Sequence, residues 1–162
     1  MKILLITDQH FGVRNDNVAY INMYKKFYGE IVIPFIKAHK VDTIINLGDT
    51  FDKRKSINFL SLDAAREMWF EPLKELGVTM HMLIGNHDIY FKNTLKINAP
   101  KHLLSEYDYI KIIDKPCHLQ FDDMKIAMIP PITLDTAAKP NALPGSPFFA
   151  IWYPSNCLLY TS

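Results

Sequence analysis

The sequence predicts an α/β fold with a β-α-β-α-β parallel core and helices on the sheet faces, and three observations carry that prediction. Short apolar runs rich in Ile, Leu and Val begin near Lys2, Thr43 and Val78. Each stops at a polar motif, as a buried strand stops on reaching loop chemistry. The two stretches between them place large apolar residues at helical spacing. Strands and helices alternating in this order build a parallel sheet through right-handed crossovers.

The first strand is Lys2 to Ile6, ending at Thr7-Asp8. From Ala19 to Ala38, Met23, Phe27, Ile31 and Phe35 recur every four residues, which predicts a helix whose apolar stripe covers the sheet. Pro34 should kink that helix or stop it early. Thr43 to Leu47 is the second strand. Phe59, Leu62, Trp69, Leu73 and Leu76 then return to helical spacing up to Gly77, with Pro72 as a second kink or stop. Met23, Phe27 and Trp69 are core residues by this reading. Val78 to Ile84 is the third strand, Tyr109 to Ile113 and Met124 to Ile129 are later ones, and Cys117 to Phe121 is a shorter candidate. After Lys139 the chain has four of its ten prolines, scattered aromatics, no charged residue and no clear period. Residues 1–135 therefore read as one domain part and 136–162 as an atypical tail, expected to be a truncated or out-of-frame end.

Composition narrows the function classes. Lys and Arg total 18 against 17 Asp and Glu, a formal net charge of +1, so attraction to an anionic polymer must come from local features. Cys117 and Cys157 match neither a disulfide framework nor a CxxC metal pattern, which predicts free thiols in a reducing compartment. The N-terminal apolar run is too short for a signal segment, and no stretch approaches membrane-spanning length. The expectation is a soluble cytoplasmic protein with no membrane partner.

The chemistry is concentrated where the strands end. In an open parallel sheet ligands bind beyond the carboxyl ends of the strands, so Asp8-Gln9-His10, Gly48-Asp49-Thr50-Phe51-Asp52 and Gly85-Asn86-His87-Asp88 should meet in space. If the chain stays extended past the strand, Asp8 and His10, two residues apart, project from one face and can hold a divalent ion. Gly48 allows the tight turn that aims Asp49 into the crevice, where its two oxygens can bridge two ions. Asn86 offers an amide oxygen, and the imidazole of His87 beside it can protonate a leaving oxygen. Each motif alone has another reading: Asp8 and His10 as strand-end caps, Asp49 or Asp52 as a helix cap, residues 85–88 as a polar turn. Three such motifs at consecutive strand ends favour the site.

The order D-x-H, GDxxD, GNH[DE] resembles the calcineurin-like metallophosphoesterase superfamily, matched here by Asp8/His10, Gly48/Asp49/Asp52 and Gly85/Asn86/His87/Asp88. The flanking residues Phe11-Gly12-Val13, Lys53-Arg54-Lys55 and Lys92-Asn93 are similar to SbcD-type DNA repair nucleases, the T-even phage recombination endonuclease subunits among them, as far as about Pro130. The resemblance implies the N-terminal part of a metallophosphoesterase sandwich. It implies Asp8 and His10 on a first metal, Asp49 bridging two, Asn86 on the second, and His87 on the leaving-group side, oriented by Asp52. The implied reaction is phosphodiester hydrolysis, with two ions activating water and stabilising the attacking and leaving oxygens. Manganese is the usual metal of these nucleases, although Asp, His and Asn donors suit manganese, iron and zinc comparably. DNA, an SbcC-like coiled-coil ATPase and a homodimer are the implied partners. Arg14, Lys53, Arg54, Lys55 and Lys92 are candidate contacts to a DNA backbone, or solvated surface charges. One departure stands out: family members supply further metal-binding histidines later in the chain, and here none follows His118. A phosphoesterase acting on a substrate other than DNA, and a catalytically incomplete half-site, are the competing readings. His39, His81, His102 and His118 read as surface or packed histidines.

Overall fold

In the computed structural model, which describes residues 1–131 and the backbone of two later strands, the expected strands form within one or two residues of their expected limits. They are β1 (Ile3–Ile6), β2 (Thr43–Asn46), β3 (Thr79–Leu83), β4 (Ile110–Ile113), β5 (Cys117–Phe121) and β6 (Met124–Ile129). The first four make one parallel sheet in the order β1-β2-β3-β4, with Ile3 opposite Thr43, Thr43 opposite Thr79 and Met80 opposite Ile110. A second sheet starts with the β5–β6 hairpin. Its tight turn at Asp122-Asp123 places Asp122 at φ 49°, the left-handed conformation that short hairpins favour. The sheet continues through β7 (Phe148–Tyr153), parallel to β6, and β8 (Asn156–Thr161), antiparallel to β7. The tail thus contains two strands where the sequence showed no period; a continuous apolar run gives no alternation to detect. The expected boundary at 135/136 lies outside the described residues.

The two long helices cover one face of the parallel sheet and the second sheet covers the other, so each β-strand feeds two cores. Ile44, Met80 and Met82 pack with Ile36, Trp69, Phe70 and Leu73 on the helix side. Ile45, Leu47, Leu83 and Ile113 pack with Phe121 and Met128 between the sheets. Burying one such side chain contributes about 1.5–3 kcal/mol.

The first helix begins at Asn17, whose side chain accepts the Ala19 N–H at 2.9 Å, and runs as α1 (Val18–Lys26), a π-helical segment (Phe27–Val32) and α2 (Ile33–His39). Pro34 does not end it. The N–H of Ile33 reaches back five residues to the carbonyl of Tyr28, and this widened turn gives room to a proline ring that would clash in an α-helix. The second helix repeats the device. It runs as α3 (Phe59–Ala65), a π-helical segment (Arg66–Phe70) and α4 (Glu71–Glu75), with the Glu71 N–H on the Arg66 carbonyl just before Pro72.

The expected apolar stripe of the first helix is wrong by one residue. Met23, Phe27, Ile31 and Phe35 lie between 46% and 59% exposed, whereas Tyr28, Val32 and Ile36 are buried. Two apolar rows of the same spacing run side by side, and spacing alone does not say which faces the sheet. In the second helix Leu62, Trp69 and Leu73 are core as expected, but Phe59, at the helix start beyond the sheet, is 86% exposed. A short helix, α5 (Ala99–Leu103), was not foreseen; Asn98 caps it and Pro100 occupies its first turn.

His39, His102 and His118 are exposed. His81 is half-buried against Phe121, and burial lowers its pKa. Cys117 is a free, half-buried thiol, and the side chain of Cys157 lies outside the described residues.

Candidate metal centre

Beyond the ends of β1 and β2 the two loops stay paired. The N–H groups of Asp8, His10 and Phe11 donate to the carbonyls of Gly48, Asp49 and Thr50 at 3.2, 3.0 and 2.9 Å, and Asp52 N–H returns to the Phe11 carbonyl at 3.1 Å. Asp8, His10 and Asp49 sit at φ 53°, 46° and 52°. Left-handed backbone costs a residue with a side chain about 1–3 kcal/mol, and such strain gathers at sites that must aim their side chains. All three strained residues are expected metal ligands.

Two glycines fix how closely the second and third loops approach. A Cβ on Gly85 would lie 2.0 Å from the Asp49 nitrogen and 2.2 Å from Asp49 Oδ1. One on Gly48, itself at φ 99°, would lie 2.6 Å from the Gly85 nitrogen. Only hydrogen fits at both positions, so the glycines of GD and GN allow Asp49 and Asn86 to share one crevice.

Three of the four expected ligands, Asp8, His10 and Asp49, converge. One oxygen or nitrogen each from Asp8, His10 and Asp49 lies within 4.8 Å of the others, and the same holds for His10, Asp52 and His87. His10 joins the two groups: its Nε2 is 3.6 Å from Asp8 Oδ1, its Nδ1 is 3.6 Å from Asp52 Oδ1, and its ring meets that of His87 edge-on at 4.8 Å. Two buried side-chain atoms here lack any hydrogen-bond partner, His10 Nδ1 and Asn86 Oδ1. Asn86 Oδ1 carries lone pairs suited to a divalent cation, as does His10 Nδ1 in the tautomer with its hydrogen on Nε2, and an orphaned buried polar atom is costly unless something binds it. The donor set fits a metal.

Asp49 and His87 are held as a unit. Burial raises the Asp49 pKa, and the hydrogen bond its Oδ1 accepts from the His87 N–H at 2.8 Å opposes that shift. His87 Nδ1 is 2.7 Å from the backbone carbonyl of Asp52. A carbonyl only accepts, so Nδ1 carries the hydrogen and Nε2 is left to exchange a proton. The link from Asp52 to His87 therefore runs through its main chain, and its carboxylate turns to His10.

Several residues that support this arrangement had no assigned role in the sequence. Asp88 is fully buried and accepts from three backbone amides, those of Gly85 (2.9 Å), Phe51 (3.0 Å) and Thr50 (3.3 Å), which ties the third loop to the second. Burial pushes its carboxyl up to about 6 against the pull of those amides. Beneath the first two loops runs a buried chain: Gln9 donates to Tyr28 Oη at 2.8 Å, and Asn46 donates to Gln9 Oε1 at 2.8 Å and Thr50 Oγ1 at 3.1 Å. Asn46 Oδ1 also accepts the Gly48 N–H at 2.9 Å. The signal was an Asn inside an otherwise apolar strand, since a buried amide must find partners.

The basic candidates divide. Lys53 pairs with Asp16 at 2.8 Å, which also accepts from Ser61 Oγ at 2.7 Å, and this latch holds the distorted turn Val13–Asp16. Arg54 Nε donates to the Asn86 carbonyl at 2.8 Å. Both side chains are committed to loop-to-loop contacts. Arg14, Lys55 and Lys92 are exposed, with Lys55 Nζ 5.2 Å above the ring of Tyr90.

The chain is similar to known proteins. The chain is 37% identical over 130 residues to exonuclease subunit 1 of Enterobacteria phage T4, covering 80% of this chain and 38% of the relative. It is 36% identical over 117 residues to the DNA double-strand break repair protein Mre11 of Sulfurisphaera tokodaii, covering 71% of this chain and 29% of the relative. The chain thus spans well under half the length of these curated relatives. A solved Aquifex aeolicus protein of unknown function is more distant, with 23% identity, a TM-score of 0.39, and coverage of 77% of this chain and 57% of the other. The family model described as calcineurin-like phosphoesterase matches residues 1–138, and with the three motifs gathered at one crevice the chain belongs to that family.

Proposed function

We propose that this chain forms part of a manganese-dependent DNA nuclease acting in recombination and repair, with Asp8, His10, Asp49 and Asn86 as metal ligands and His87 as the acid at the leaving oxygen. The observation that carries the proposal is the gathering of Asp8, His10 and Asp49 donors within 4.8 Å of one another, with two unpartnered buried atoms, His10 Nδ1 and Asn86 Oδ1, on the same loops. When bound, two divalent ions supply charge to a phosphate oxygen and lower the pKa of water. The chain itself orients the groups around them: Asp49 is fixed by the His87 amide, and His87 by the Asp52 carbonyl. DNA as substrate, rather than another phosphoester, is supported by the names of the two relatives, an exonuclease subunit and a double-strand break repair protein.

The finer parts of the proposal rest on the same resemblance. An SbcC-like ATPase would be the partner, residues 1–135 the domain part, and the cytoplasm the setting; no helix among the described residues is long and apolar enough to cross a membrane. A homodimer needs an apolar face, and Phe59 at 86% and Leu60 at 51% exposure offer one. A second reading, a half-site that binds metal without turnover, rests on the two donor groups among the described residues, Asp8/His10/Asp49 and His10/Asp52/His87, sharing the one imidazole of His10.

The test is manganese-dependent hydrolysis of linear DNA and of an aryl phosphodiester by the 162-residue chain, with His87→Ala alongside. DNA cleavage should fall by at least about 100-fold in the variant, the scale of a lost general acid. Cleavage of the aryl ester alone would move the substrate away from DNA. Metal binding without cleavage of either would establish the half-site.

A further inference from the structure

The loop that follows His87 and Asp88 is anchored at its neck and open at its tip. The Ala99 N–H donates to the Asp88 carbonyl at 2.7 Å, the Tyr90 N–H to the Ile97 carbonyl at 3.0 Å, and Ile89 and Asn98 form an isolated antiparallel bridge. The neck, which begins two residues beyond His87, is therefore tied to the loop that carries the metal centre. There Tyr90 and Phe91, 36% and 49% exposed, pack edge-on with ring centroids 4.6 Å apart. The core makes no use of these rings.

The charged residues on their own loop are lysines, and another lysine stands over one ring. Lys55 Nζ stands 5.2 Å over the Tyr90 ring, and Lys92 and Lys96 are exposed on the same loop. None of the three forms an ion pair among the described residues. The chain carries no acidic residue from Lys53 to Leu62 or from Ile89 to Ser105. Adjacent exposed aromatic rings with unpaired lysines on and beside them are an arrangement that binds single-stranded nucleic acid, with bases on the rings and phosphates on the lysines. Base pairs inside a duplex are stacked on both faces and offer only their edges, so such rings suit unpaired nucleotides.

We propose that Tyr90 and Phe91, with Lys55 and Lys92, form a stacking platform for an unpaired nucleotide that positions a single-stranded or frayed DNA end beside the metal centre. The platform rests on the nuclease reading and names the form of DNA it takes.

The test is metal-free binding of the 162-residue chain to a labelled oligothymidylate, an abasic oligomer of equal length and a blunt duplex, across a salt series. Wild type should bind oligothymidylate about tenfold more tightly than the abasic strand, the scale of one stacked base. The Tyr90→Ala/Phe91→Ala variant should lose that preference with its salt slope unchanged, Lys55→Ala/Lys92→Ala should flatten the slope, and Phe91→Trp should keep the preference. Equal wild-type affinity for the two single strands, or a preference that survives the double alanine variant, overturns the platform alone. Wild type that binds none of the three ligands overturns the nuclease reading with it. Self-association that the double alanine variant abolishes would assign the rings to a second copy and overturn the proposal.

Discussion

Gly85→Ala is expected to lower stability by about 4 kcal/mol, at the upper end for a single substitution, and to remove metal binding, although it adds one methyl group. The cause is the 2.0 Å and 2.2 Å approaches of the added carbon to the nitrogen and Oδ1 of Asp49. The first is backbone, so no rotamer change relieves it, and separating the two loops moves Asp49 away from Asn86. Gly29→Ala is the control. It lies within the first helix with nothing within 4 Å of its added carbon, and there alanine should stabilise by about 0.5–1 kcal/mol. Urea unfolding of both variants measures the contrast. Equal midpoints would show that the two loops are not packed as closely as described.

Asp88→Ala should have an effect of the same order through hydrogen bonding. Three buried amides, of Thr50, Phe51 and Gly85, would lose their common acceptor. Each unsatisfied buried donor costs about 1–3 kcal/mol, and partial relaxation with entry of water brings the sum to about 4 kcal/mol. Asp88→Asn should lose less, because one carbonyl oxygen still accepts while its NH2 faces an amide it cannot satisfy. Hydrogen exchange adds a local readout: the amides of Thr50, Phe51 and Gly85 should lose protection before those of β2. Unchanged protection at those amides would remove Asp88 from the account of how the loops are tied.

The strands were legible because their apolar runs are short, β-branched and cut off by glycine and aspartate, signals that tertiary packing only reinforces. The helices were legible as elements but not as faces. Tyr28, Val32 and Ile36 and the stripe Met23, Phe27, Ile31 and Phe35 have the same spacing one residue apart, and the sheet's position decides between them. Pro34 and Pro72 read as breaks because a π-helical turn leaves no mark in the residue pattern. At the site, the approach of Asp8, His10 and Asp49 to one another was legible from motifs placed at consecutive strand ends. What was not legible depends on which atom of a residue is used. Asp52 reaches His87 through its carbonyl oxygen, Asp88 serves three amides rather than an ion, and Lys53 and Arg54 hold loops together instead of standing free.

Asp8, His10, Asp49 and Asn86 are proposed to form a metal site on this chain, and calorimetric titration of manganese into the metal-free protein and into Asp49→Ala tests this without recourse to turnover. The account predicts saturable binding in the wild type and affinity lower by more than about tenfold in the variant, since changes even beyond the direct ligands cost that much. No saturable binding by folded wild-type protein, or the same isotherm from both proteins, would contradict it.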